Sequence, residues 1–168
     1  QAAFVLKEAA RRTDLIYSEK LSGNMSGGAE IYLKTENLQV TGSFKLRGAY
    51  YKISQLTDEQ KKAGIIACSA GNHAQGVALA ATKMGIKSIV CMPDGAPISK
   101  VEATKALGAE VRLVPGAYDD AYNEALRLQE ETGATLIHPF DDDAVISGEV
   151  KIGIEFLDHL PEFYAIIV

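Results

Sequence analysis

Residues 64–92 read GIIACSAGNHAQGVALAATKMGIKSIVCM, and this stretch decides the fold. GIIAC (64–68) is short, apolar and β-prone. Residues 73–84 form a helical stretch of small side chains stopped by Gly85, where a glycine commonly ends a helix. SIVCM (88–92) is a second apolar strand. Strand, helix and strand with connections this short make a βαβ unit, hence a parallel pair.

The alternation continues outward. The turn Pro93-Asp94-Gly95 leads to a helix from near Pro97 to Gly108, and a strand follows at 110–114. A longer helix over 118–132 has Asp119 and Asp120 in its first turn and Gly133 after its end. Residues 135–137 are a brief strand, 144–160 a helix, and 164–168 the start of another strand. Upstream, residues 30–36 alternate like a half-buried strand, and 43–55 place Phe44, Leu46, Ala49, Tyr50 and Ile53 near helical spacing. The expected fold is α/β, a parallel sheet flanked by helices on both faces, with its crevice beyond the carboxyl ends of the strands. The final AIIV (165–168) predicts a strand whose neighbours are not in this sequence, so a truncated chain is expected.

Composition narrows the partners. The chain has 168 residues, 47% apolar and 23% charged, which suits one core and part of a second. A net charge of −5 with scattered Lys and Arg leaves no basic stripe, so nucleic acid is not expected. No run is long and apolar enough to span a bilayer, so a membrane is not expected either. Cys68 and Cys91 lie in apolar runs and read as buried thiols of a cytoplasmic protein. His73, His138 and His159 are far apart with no cysteine at zinc spacing, so no metal site is expected. Asp141, Asp142 and Asp143 read as an acidic helix start, and His138-Pro139 as a turn. Tyr50, Tyr51 and the Phe residues read as packing, and Gly23-Asn24 and Gly27-Gly28 as loops.

Two strand-to-helix junctions are too polar for packing. Ser69, Ala70, Gly71, Asn72 and His73 directly follow one strand and open a helix. Glycine lets the backbone approach a ligand, and the free amides of a first helical turn attract a carboxylate or phosphate. A plain helix cap uses the same geometry, and the pattern alone does not choose. The second junction is Thr41-Gly42-Ser43-Phe44-Lys45. A lysine in a first helical turn opposes the dipole, a field that favours the neutral amine a Schiff-base lysine needs. Most lysines are solvated charges, so Lys45 is a candidate of low weight on pattern alone.

KTENLQVTGSFKLRGA (34–49) and SAGNHAQGV (69–77), in this order, resemble the threonine ammonia-lyase and serine racemase group of fold type II pyridoxal-phosphate enzymes. The resemblance continues through MPDGAPISK (92–100) and LIHPFDD (136–142), nearly the whole chain. It implies pyridoxal 5'-phosphate as cofactor, with Lys45 forming the internal aldimine and later removing the substrate's α-proton. Phe44 would pack on the cofactor ring and Asn72 would hydrogen-bond its 3-oxygen. Ser69, Gly71, Asn72 and His73 would grip the substrate carboxylate. The implied reaction is dehydration and deamination of L-threonine, and of L-serine, to a 2-oxo acid and ammonia. A small amino-acid substrate and a homo-oligomeric enzyme follow, in isoleucine biosynthesis or threonine catabolism.

Ala70 stands where racemases of the group carry a second serine that protonates the opposite face, so elimination is expected over racemisation. A serine racemase, a β-replacement synthase and a non-catalytic folding unit remain alternatives. Three departures from the family pattern stand out. Its phosphate loop and the residue facing the pyridine nitrogen fall after residue 168. Gly148-Glu149-Val150-Lys151 replaces Gly-Gln-Gly-Thr, and Asp14 replaces a proline. The expected division is 1–38 as a segment of the large cofactor domain, 39–148 as the small α/β domain and 149–168 as a return into the large domain. The chain alone is expected to show little or no lyase activity.

Overall fold

The computed structural model describes residues 2–167. Its centre is a four-stranded parallel sheet in the order β5-β4-β3-β6, with β3 Ile65–Cys68, β4 Ser88–Pro93, β5 Glu110–Val114 and β6 Thr135–Leu136. All four residues of β3 are buried, as a central parallel strand requires. From β3 the chain steps outward through β4 to β5, then returns to the other side of β3 as β6. The direction of winding therefore reverses between β3 and β6, the point where such sheets open a crevice at their carboxyl ends.

The remaining elements, in chain order, are α1 Ala2–Val5, β1 Leu15–Tyr17, α2 Glu19–Ser22, β2 Tyr32–Lys34, α3 Lys45–Ser54, α4 Asp58–Ala63, α5 Asn72–Lys83, α6 Ile98–Ala106, α7 Tyr118–Thr132, α8 Asp143–Glu149 and α9 Lys151–His159. Helices cover both faces of the sheet. On one face, Ile65, Ala67, Val90 and Met92 pack with Leu46 and Ile53 of α3, Val77 and Ala78 of α5 and Val101 of α6. On the other, Ile66, Cys68 and Cys91 pack with Ala121, Ala125 and Leu128 of α7. The strand side chains alternate between these faces, as the pleat dictates. Both thiols are buried, and burial pushes each up to about 11, so they behave as packing groups.

Several expectations are corrected in detail. Residues 30–36 yield only three strand residues, because β2 pairs with the three residues of β1 and Glu36 turns into a 3-10 helix. The helix over 144–160 is jointed at Val150, with bonds from Val150 N to Ile146 O and Ile154 N to Val150 O carrying across the joint. Tyr164–Ile167 forms no strand, and Val168 lies outside the described residues. Among the described residues no strand runs beside this segment, and a strand gains its hydrogen bonds only from a neighbour. Phe4, Phe140 and Phe163 are exposed rather than packing residues, whereas Tyr50 is buried. No helix among the described residues is long and apolar enough to cross a membrane, and no cluster there could hold a metal.

A buried ionic network ties the N-terminal segment to α3 and α9. The Arg47 side chain is 1% exposed and that of Glu155 3%. Arg47 donates twice to each of two carboxylates, Glu36 (2.9 and 2.8 Å) and Glu155 (2.9 and 3.0 Å), and once to the Arg11 carbonyl. Lys34 donates to Glu155 and to the Thr13 carbonyl, both at 2.6 Å. Burial pushes the Glu155 carboxyl up, but hydrogen bonds and charge from Arg47 and Lys34 outweigh it and leave it below its ordinary 4.5. Glu155→Gln is expected to destabilise the fold by about 3–5 kcal/mol in urea unfolding, since it leaves two buried cations short of a partner. A depressed carboxyl contributes stability that is complete above its ordinary value and lost as the pH falls through its folded value. The gap between wild type and Glu155→Gln should therefore narrow in buffers below 4.5.

Candidate active site

Lys45 is the first residue of α3, and its backbone lies against α5 at Gly76. A Cβ on Gly76 would stand 3.0 Å from the Lys45 carbonyl carbon and the Leu46 nitrogen. Gly76 is one helical turn after Asn72, so this crossing sets Lys45 beside the loop that opens α5. The Lys45 ammonium donates to the Pro139 carbonyl at 2.8 Å and to Glu149 Oε1 at 3.2 Å, with Nζ 4.9 Å from the centre of the half-buried Phe44 ring. Pro139 leaves the carboxyl end of β6, so the contact sits at the β3/β6 reversal of the sheet.

The junction between β3 and α5 is shaped for a polar ligand. Gly71 is the residue before α5, and no side chain caps that helix. Its first-turn amides consequently keep their hydrogens free for water or an anion. Ser69 is half-buried, gives its own N–H to the Cys91 carbonyl and accepts from the Gly71 N–H at 3.2 Å. A Cβ built on Gly71 would meet nothing within 4 Å, so the loop backbone borders open space. Asn72 is exposed, and its Oδ1 accepts from Lys100 of α6 at 3.4 Å.

His73 points the other way. Its side chain is buried and Nε2 lies 2.9 Å from the Ile137 carbonyl, which can only accept, so Nε2 carries the hydrogen. Burial, opposed in part by that hydrogen bond, brings the imidazole down to about 4, with Lys45 and His138 adding to the drop. His73 is thus neutral at physiological pH, and what it offers an anion is its main-chain amide. The buried Thr41 Oγ1, Ser43 Oγ and His73 Nδ1 have no protein partner. The two orphaned hydroxyls on the segment before Lys45 can donate and fit a site built to receive a polar, anionic group, whereas His73 Nδ1 can only accept.

All the residues singled out in the sequence, Phe44, Lys45, Ser69, Gly71, Asn72 and His73, lie at this end of the sheet. Two contacts were missed. Glu149 and the Pro139 carbonyl meet Lys45 from 104 and 94 residues away in the chain. The departure from the family pattern at Glu149 was the signal for the first, while a backbone carbonyl leaves none.

The sequence pattern of the family described as pyridoxal-phosphate dependent enzyme matches residues 6–168. An L-threonine ammonia-lyase of Thermotoga maritima is 52% identical over 168 residues, all of this chain and 41% of that protein. A processed threonine deaminase from Solanum lycopersicum superposes with a TM-score of 0.88 at 42% identity, over 92% of this chain and 42% of that one. Maize serine racemase superposes with a TM-score of 0.90 at 37% identity, over 96% of this chain and 48% of that one. The chain spans 41–48% of the length of these three relatives.

Glu149 is placed by close contact between α3 and α8. A Cβ on Gly148 would stand 2.5 Å from the Arg47 carbonyl oxygen, and one on Gly48 would stand 2.8 Å from Val145 Cγ1. A second ion pair, Lys52 to Asp142 at 2.6 Å, closes the far end of the same contact. Gly148→Ala is expected to destabilise the protein by about 1–3 kcal/mol in urea unfolding, because backbone must give way. Gly153→Ala in α9, where a Cβ meets nothing within 4 Å, is the control. It should be neutral or stabilising by up to about 1 kcal/mol, as expected for alanine replacing glycine in a helix.

Proposed function

The chain belongs to the pyridoxal-phosphate dependent enzymes, and from that premise we propose that it carries the cofactor lysine and the substrate-carboxylate loop of an L-threonine ammonia-lyase. The reaction is the dehydration and deamination of L-threonine, and of L-serine, to a 2-oxo acid and ammonia. One observation carries this reading. The start of α3 that carries Lys45 packs on α5 one turn after its uncapped start, and the Lys45 amine reaches the Pro139 carbonyl where the sheet reverses its winding. The names of the relatives support it.

The residues present fit the cofactor. Lys45 Nζ would hold its aldehyde carbon, the half-buried Phe44 would pack on its ring and Asn72 would bond its 3-oxygen. When bound, the cofactor supplies the electron sink for carbanion chemistry at the substrate's α-carbon. Ser69, Gly71, Asn72 and His73 orient the substrate by its carboxylate, with His73 acting through its backbone amide. Lys45 Nζ is the proton carrier for the α-carbon.

The loop also bears on the competing racemase. Racemisation needs a second acid on the opposite face of the α-carbon, and the Ala70 methyl group carries no exchangeable proton. The same reading divides the chain into 1–38, 39–148 and 149–168, with the parallel sheet in the middle part as the small domain. A homo-oligomeric assembly and a cytoplasmic setting go with it on family likeness.

Reduction with borohydride in the presence of pyridoxal phosphate, followed by peptide mass spectrometry, is expected to place the label on Lys45. Lys45→Ala should lose that label and at least 1,000-fold of 2-oxo acid production from L-threonine by the full-length protein, on the order of removing a covalent catalyst. Label spread over exposed lysines, or turnover that survives the substitution, would sink the assignment. D-Serine as the main product from L-serine would favour the racemase instead.

A further inference from the structure

We propose that Glu149 is a positioning residue for Lys45, tying its amine to α8 as the ammonium and so limiting its reactivity until the carboxylate gives way. The proposal rests on the reading of Lys45 as the cofactor lysine and adds a residue to that site. Both side chains are 21% exposed, and Oε1 stands 3.2 Å from Nζ. This is not a loose surface pair. Glu149 follows Gly148, whose Cα is pressed against the backbone of Arg47 and Gly48. The Glu149 Cγ itself would lie 3.1 Å from a Cβ on Gly48. The helix contact therefore fixes the carboxylate at the one turn of α3 that carries Lys45.

The groups around Nζ leave Glu149 as the charge partner. Pro139 offers a carbonyl, which is neutral. His73, on α5, is buried with Nε2 committed to Ile137 and its imidazole uncharged. His138, in the loop before α8, uses Nδ1 to accept from the Phe140 and Asp141 amides. Asp142 at the start of α8 is paired with Lys52, and Lys100 of α6 faces Asn72. Burial raises the Glu149 carboxyl above its ordinary value, and the charge and hydrogen bond of Lys45 pull against that rise. Lys45 thus favours the charged form of Glu149, and that carboxylate in turn sets a negative charge beside Nζ. A glutamine here would keep the shape and a hydrogen bond but remove the charge. The departure at position 149 has its physical meaning in that difference.

The test is the rate at which acetic anhydride labels individual lysines of the full-length, cofactor-free protein, read by peptide mass spectrometry. Wild type, Glu149→Gln and Glu149→Asp are compared across a pH series, with the exposed Lys62 as internal reference. At neutral pH, Glu149→Gln is expected to label Lys45 on the order of ten-fold faster than wild type, the size of one lost charge contact within about 4 Å. Glu149→Asp should restore much of the protection, and the difference should close in alkaline buffer, where every lysine amine is neutral. Lys45 labelling that is the same in all three proteins overturns the proposal. So does a parallel rise of Lys45 and Lys52 at every pH, which would report loosened packing rather than lost charge. Should Glu149→Gln not fold, Glu149→Ala replaces it as the uncharged variant, and Glu149→Asp is still expected to label Lys45 more slowly than that variant does. If the cofactor label falls on another lysine, the reading of the site fails and takes the proposal with it. If the label stays on Lys45 while Glu149 has no effect, only the proposal fails.

Discussion

The buried guanidinium of Arg47 is the constraint on which the placement of α3 depends. Carboxylates from two distant segments, Glu36 and Glu155, clamp it from either side, and the Arg11 carbonyl takes a further hydrogen. Burying a charge is costly unless its hydrogen-bonding capacity is filled, and planar guanidinium–carboxylate pairs fill it with fixed geometry. Such a pair adds little to net stability over a well-packed apolar replacement. What it supplies here is orientation. Arg47 is two residues from Lys45, so the clamp holds the start of α3 between the N-terminal segment and α9. The two glycine contacts, Gly76 against Lys45 and Gly148 against Arg47, then bring α5 and α8 onto the same turn.

The local parts of this arrangement could be read from the sequence, and the distant parts could not. The strand at 110–114 and the helix at 118–132 appear with the expected bounds, because hydrophobic period and terminal signals lie inside each segment. The helix α4 went unread although Thr57 and Gln60 form a capping box at its start, since six residues are too few for a period to show. The strand β1 was missed for the same reason, being three residues that hold only through their pairing with β2. The junction loop and Lys45 could be singled out as candidates because they sit at polar strand-to-helix turns. The pattern left a plain cap and a solvated lysine open, and only the resemblance gave them expected roles. Their partners could not be singled out. Arg47 meets Glu155 across 108 residues and Lys45 meets Glu149 across 104, and nothing in a local window marks such pairs.

Of the family departures, Glu149 gains an explanation and Val150 coincides with the joint between α8 and α9. Lys151 has none. Asp14 contributes its backbone carbonyl to Thr35, and nothing in the structure explains its carboxylate.

The field at Lys45 is a balance that one element cannot set. The start of α3 presents the positive end of its dipole, which opposes an ammonium there, while Glu149 and the Pro139 carbonyl favour one. The dipole effect at a helix end is typically 0.3–1 kcal/mol when exposed and reaches about 2 kcal/mol when partly buried. A half-buried carboxylate at hydrogen-bond distance is of the same order or larger. The balance at Nζ therefore depends on Glu149, and freeing the nucleophile means changing that partner. An anion seated on the α5 amides would not do so, since its negative charge adds to that of Glu149. Displacing the carboxylate from Nζ would. Glu149 is the last residue of α8, beside the joint at Val150, and a turn of its side chain beyond Cγ would leave the Gly148 contact in place. The rigid contact at Gly148 and the free end at Glu149 thus separate the two tasks, holding the helices together and releasing the amine.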